Sequence, residues 1–89
     1  MNLEFTKNAD NYWEASCVSV GTPAAFEVNR SAPGYLIIYG SIDPLEKVIL
    51  RDFGPGASQD MIVEIDVPAD VKVTIISHTE VVGAKIVGV

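Results

Sequence analysis

The chain has little of what hydrolytic sites, metal centres and disulfide-stapled domains are built from. Its 89 residues include one cysteine, Cys17, and one histidine, His78. No internal disulfide can form, and a zinc site needs more nitrogen and sulfur ligands than these two supply. Basic residues are scarce as well: six lysines and arginines stand against twelve acids, giving a net charge of -6 and a pI near 4.4. The six, Lys7, Arg30, Lys47, Arg51, Lys72 and Lys85, are scattered along the chain. A phosphate backbone would be repelled, so no nucleic acid is expected as a partner. No apolar run reaches the roughly 18 residues of a membrane span, so no membrane partner is expected either. The opening MNLEFTKNAD alternates polar and apolar residues where a signal peptide needs a basic start and an apolar run, so the expected compartment is the cytoplasm of synthesis. Lastly, no window carries an apolar period of three to four residues over helical length, which excludes a helical fold.

What the chain does have is apolar alternation and turn chemistry. At 48% hydrophobic, 89 residues can bury one small core, so residues 1–89 are expected to form one domain. Eight strand-like segments recur: LEFTK, YWEASCVSV, AAFEVN, YLIIY, VILRDF, MIVEIDV, VKVTIIS and VVGAKIVGV. The apolar positions of the second change parity from Trp13, Ala15 and Cys17 to Val18 and Val20, which predicts a bulge or a move between sheets near residue 17. Pro33 and Gly34 read as a type II turn, Pro44 as a second preset turn, and GPGAS as a loop. YLIIY reads as a central strand covered on both faces. PAD at 68–70 reads as the turn of a hairpin between the sixth and seventh segments. Turn signals every eight to twelve residues predict an all-β fold, a small antiparallel β-sandwich of about eight strands in jelly-roll-like or other Greek-key order. Alternation places Phe5, Trp13, Phe26, Val63, Ile65, Val73 and Ile75 in its core.

IISHTE at 75–80 holds a hydroxyl, the imidazole and a carboxylate, but Ser77 and His78 are adjacent on a strand and therefore point to opposite faces. They cannot pair as nucleophile and base, and there is no glycine-flanked nucleophile elbow, so no catalytic residue is assigned. Asp60, Glu64, Asp66 and Asp70 lack calcium-loop spacing. In the expected hairpin Glu64 and Asp66 would face Lys72 and Thr74, so cross-strand pairing accounts for them without a metal, and no cofactor is expected. Two surface readings remain. Ile49, Ile62 and Ile76 alternate with inward residues, so they sit on nominally solvent faces and predict a covered interface with another copy or a larger partner. Tyr12, Tyr35 and Tyr39 offer exposed rings of the kind that stack on sugars, which makes a glycan the alternative ligand.

Three stretches, MNLEFTKNADNYWEAS, FEVNRSAPGYLIIYGS and VKVTIISHTEVVGAKI, together resemble the small all-β proteins encoded by phages and prophages of gut Bacteroidales, whose members begin with an FTK strand and end with a VVSKTEV-like strand pair. The resemblance covers most of the chain, although GPGASQD has no counterpart in it. It implies a virion-associated or prophage structural protein, a capsid accessory or fibre-associated module, found in the virion or in the bacterial cytoplasm where it is made. It brings no catalytic residues. The expected function is thus a non-enzymatic assembly module that forms a homo-oligomer or docks on a larger virion protein, with a glycan-binding module as the alternative.

Overall fold

The computed structural model describes residues 2–21, 23–42 and 46–87. The described residues form eight antiparallel strands: β1 (Thr6–Lys7), β2 (Trp13–Val18), β3 (Ala24–Arg30), β4 (Leu36–Ser41), β5 (Val48–Asp52), β6 (Asp60–Ile65), β7 (Lys72–Ser77) and β8 (Val81–Val87). They build a five-stranded sheet ordered β1-β2-β7-β4-β5 and a three-stranded sheet ordered β6-β3-β8. The pairings follow one rule. Strand β4 pairs with β5, β3 with β6 and β2 with β7, while Asn2, just ahead of β1, bridges to Lys85 of β8. This is a chain folded in half between β4 and β5 and then rolled up, with β4 against β7 and β3 against β8 closing the roll. That is the jelly-roll order, one of the two options the sequence left open.

Alternation decides what lies between the sheets. Ala15, Leu36, Ile38, Val73 and Ile75 come inward from one, and Ala24, Phe26, Val28, Val63, Ile65 and Ile86 from the other. Five of the seven expected core residues are buried there, Phe26, Val63, Ile65, Val73 and Ile75. Phe5 is half-buried against this core, and Trp13 is half-buried beneath the Lys7 ammonium, 5.5 Å from its ring centre. In β4 the inward Leu36 and Ile38 are buried, but Ile37 and Tyr39 are only half-buried, so the strand is not fully covered on its outer side as expected.

Three local expectations are corrected. Val18 and Val20 are exposed and Ser19 is buried, so the inward parity of Ala15 and Cys17 continues through Ser19 and the pairing of β2 with β7 is unbroken. The chain changes sheets only after that point. Ser19 supports the change, its hydroxyl donating to the Val67 carbonyl at 3.1 Å and its backbone exchanging bonds with Asp70 and Val71. Gly34 does not use the left-handed region. It is needed because a Cβ there would stand 2.8 Å from Thr79 Cγ2. Finally, PAD is not a hairpin turn: β6 and β7 lie in different sheets, and PAD carries the crossover between them with Asp70 at φ 65°. Aspartate tolerates that conformation better than most side chains. The turn assigned to Pro44 lies outside the described residues.

Candidate functional site

The register of the five-stranded sheet assembles most of the candidate residues on its outer face. Ser77 stands opposite both Trp13 and Leu36, so the next residue on each strand brings Tyr12, His78 and Tyr35 side by side on the other face. The rings are in contact. Tyr12 and His78 stack with centroids 3.7 Å apart and planes within 2°, and Tyr35 leans on His78 at 4.8 Å and 44°. The His78 amide donates to the Tyr35 carbonyl at 3.1 Å, which holds the third ring in line. Asn8 fixes the first: its side-chain oxygen accepts from the amides of Asp10 and Tyr12, shaping the turn that delivers Tyr12 to β2.

Further along the same face, Glu14, Ile76, Ile37 and Asp52 form the next cross-strand row, and Ser16, Thr74, Tyr39 and Ile49 the one after. Tyr39 carries the Lys47 ammonium over its ring at 5.3 Å. All three candidate tyrosines therefore share one sheet face, joined by Ile49 and Ile76. Ile62 does not belong there. It sits in β6, opposite Glu27 of β3, on the outer face of the three-stranded sheet, and it is 78% exposed. The hairpin expected between the sixth and seventh segments would have set Ile62 and Ile76 on one outer face, and they lie apart because β6 and β7 belong to different sheets. The expected pairing of Glu64 and Asp66 with Lys72 and Thr74 fails for the same reason, since Glu64 faces Ala25 and Lys72 faces Val18 and Ser41.

The far margin of the tyrosine face is β5, whose second edge pairs with no strand among the described residues. All five of its residues are exposed, Val48 and Ile49 to about 60% (62% and 58%). A register shift opposite Ile38 and Tyr39 bulges this strand, and Leu50 fills the space above Gly40, where a Cβ would meet it at 3.0 Å. Beside it an apolar hollow opens between the sheets, walled by Gly40, Ile42, Val48, Leu50, Val67 and Val71.

Beneath the other end of the face lies a residue that the sequence lists only as one basic residue among six. Arg30 continues the inward parity of Ala24, Phe26 and Val28 and is 1% exposed. No carboxylate meets its guanidinium among the described contacts. Instead Nη1 donates to the carbonyls of Gly34 and Tyr35 at 3.0 Å and to Ser77 Oγ at 3.3 Å, while Nη2 donates to the carbonyls of Ala57 and Ser58 at 3.0 and 2.6 Å. Nε is buried without a hydrogen-bond partner among the described residues. Desolvation pushes the guanidinium below its ordinary pKa, though arginine stays charged at any working pH. One buried cation thus ties together two loops and the end of β7 at this end of the sandwich, including the backbone that presents Tyr35. The signal in the sequence is its parity: a basic residue in an inward position, followed by the turn SAPGY.

The Ser77 hydroxyl is engaged from three sides, accepting from Arg30 and from the Thr79 amide and donating to the Thr79 carbonyl at 2.7 Å. His78 lies on the opposite face within the tyrosine row. Cys17 is half-buried against the core, and burial pushes its thiol above the ordinary pKa. Among the described residues no group of three or more histidine, cysteine or acidic side chains is placed to hold a metal ion. Compared with protein-family models, with curated proteins and with solved structures, the chain matches none.

Proposed function

We propose that this chain is a non-enzymatic assembly module that associates with copies of itself or docks on a larger virion protein through its exposed sheet surfaces. The observation that carries the reading is β5, a free sheet edge with Val48, Ile49 and Leu50 exposed, continuous with the tyrosine face. Natural sheet edges are normally blunted or covered, and burying one such isoleucine contributes about 1.5 to 3 kcal/mol, so a covering partner accounts for their presence. The engaged Ser77 hydroxyl and its separation from His78 support a role without covalent chemistry. The virion setting rests on the resemblance of the opening, central and closing stretches to phage and prophage structural proteins. Sedimentation from low micromolar to near-millimolar concentration tests the reading. We expect a mass that rises with concentration, or a stable complex with a capsid or fibre protein of the same particle. A monomer that also ignores such a protein would remove the proposal.

A glycan-binding role is the second reading, favoured by the gathering of Tyr12, Tyr35 and Tyr39 on one face. Against it, one face of the Tyr12 ring is taken by His78 and one face of Tyr39 by Lys47, which leaves less free ring surface for a sugar. A saccharide titration that responds to Tyr35→Ala in a wild-type monomer would favour the glycan reading over assembly.

A further inference from the structure

The outer face of the five-stranded sheet carries a fourth row, Val18, Lys72 and Ser41, beyond the three already described. The middle of the face is apolar: Ile37, Ile76 and Tyr39 are half-buried among their neighbours, while Val18 and Ile49 are exposed to 57% and 58%. Among the described residues of these rows the charges balance, and they are separated along the strands. Glu14 on β2 and Asp52 on β5 belong to the second row, Lys47 covers Tyr39 of the third, and Lys72 stands in the fourth. Arg51 is turned to the other side, opposite the inward Ile38, and Glu46 lines the hollow between the sheets. The outer face of the three-stranded sheet has no such balance, since Glu27, Asp60 and Glu64 accompany Lys85 alone around Ile62.

We infer that two copies of this chain pack these five-stranded faces on one another about a two-fold axis that runs across the strands. The inference rests on the assembly reading and names its partner, its surface and its symmetry. Such an axis keeps each strand over its own counterpart and reverses the order of the rows, so the second row of one copy lies on the third row of the other. Ile76 and Ile37 then meet Thr74 and Tyr39 of the second copy, and the same contacts form again by symmetry. Asp52 comes within reach of Lys47 across the contact and Glu14 within reach of Lys72, so the acidic row of each copy faces the basic rows of the other. A two-fold axis along the strands would keep the rows and reverse the strands, which lays Glu14 of β2 on Asp52 of β5 with no lysine in that row. Four strands about 4.8 Å apart and four rows about 6.8 Å apart span roughly 500 Å² of face. Two such faces reach the roughly 1,000 Å² that a specific contact requires. A contact of one surface with itself closes at two copies.

Sedimentation of the full chain across concentration tests the contact, with unchanged melting temperatures as the check that each variant folds. The wild type should form dimers and nothing larger. Ile49→Glu and Asp52→Lys should each weaken the dimer about tenfold, the first by placing a charge in the apolar part of the contact and the second by setting like charges against Lys47. Exchanging both charges in one chain, Asp52→Lys with Lys47→Asp, should restore most of the affinity, because each copy then offers the other the reversed pair. Glu14→Lys is a second lesion of the acidic row and leaves intact the Asp52 carboxylate, which accepts from the Gly54 amide at 2.8 Å. Ile62→Lys, on the other sheet, should leave the dimer as it is. If the wild type dimerises but Asp52→Lys and Glu14→Lys leave it unchanged or tighten it, the contact is wrong while the assembly reading stands. The same holds if Ile62→Lys is the variant that abolishes association, or if the wild type grows beyond dimers. A wild type that stays monomeric at every concentration overturns the contact outright, and a complex with a larger protein would then still carry the assembly reading.

Discussion

Arg30 continues a strand whose other inward residues, Ala24, Phe26 and Val28, are apolar, and among the described residues its guanidinium is matched by carbonyl oxygens and the Ser77 hydroxyl and not by a carboxylate. The arrangement stabilises the fold only as a whole, because removing the cation strands several partly buried carbonyls at once. Arg30→Met keeps the length and the apolar stem, yet it should cost about 2 to 5 kcal/mol in urea unfolding. Amide exchange should quicken in the Gly34–Tyr35 and Ala57–Ser58 segments. An unchanged denaturation midpoint would show that the guanidinium does not hold these loops. Two glycines make the converse comparison. Gly34→Ala drives a Cβ against Thr79 and should destabilise, by about 1 to 3 kcal/mol. Gly56→Ala meets nothing within 4 Å at a φ outside the left-handed region, so it should be neutral or stabilising by up to about 1 kcal/mol. Cys17 supplies the pH dependence. Its thiol is raised by burial, so its neutral form favours the folded state at and below the ordinary thiol pKa, and that contribution is lost as pH rises through the folded value. Stability should therefore fall on the alkaline side, and Cys17→Ala should flatten that fall in denaturation series at increasing pH.

At the scale of strands, alternation identified which side chains turn inward, and it did so because a buried face has a period of two that no other structure shares. It could not identify neighbours. MIVEIDV and VKVTIIS look like the two arms of a hairpin because each alternates and only PAD separates them. The same three residues serve equally to carry a chain from one sheet over the core to the other, and the alternation of both strands is satisfied either way. The choice is made by β2 and β4, which flank β7 on both sides and leave no edge for β6. For the same reason the tyrosine row was legible as three exposed rings but not as one site, since only the register of β2, β7 and β4 sets His78 between Tyr12 and Tyr35. The strand assignment yields a direct contrast between two isoleucines. Ile75, at 0% exposure in the central strand β7, should cost about 2 to 5 kcal/mol when cut to alanine. Ile62→Ala should change stability by no more than about 0.5 kcal/mol. Equal losses at the two positions would contradict the burial that the sheets impose.

For the molecule as a whole, the rolled pairing places most ladder partners far apart in the chain. Val73 of β7 lies between Cys17 of β2 and Gly40 of β4, and Asn2 meets Lys85. Such pairings require large loops to close before any contact is gained, which slows folding relative to a fold of local hairpins. Only β4–β5 joins neighbouring strands within one sheet over more than a two-residue arm, so little structure can form early by local pairing. Refolding is therefore expected on a timescale of about milliseconds to seconds. Trp13 is the single tryptophan and lies half-buried beneath Lys7, so its emission reports closure of β1 on β2 in a stopped-flow experiment. The roll also makes the segment just ahead of β1 a late clasp. Leu3 is 8% exposed and its amide donates to the Ala84 carbonyl at 3.0 Å, tying the chain start to β8. Leu3→Ala should lower stability by about 2 to 4 kcal/mol and mainly speed unfolding, because a contact made last is absent from the transition state. A Leu3→Ala protein that refolds far more slowly with unchanged unfolding would instead place the pairing of the chain start with β8 in the folding nucleus, and the roll would close from its ends.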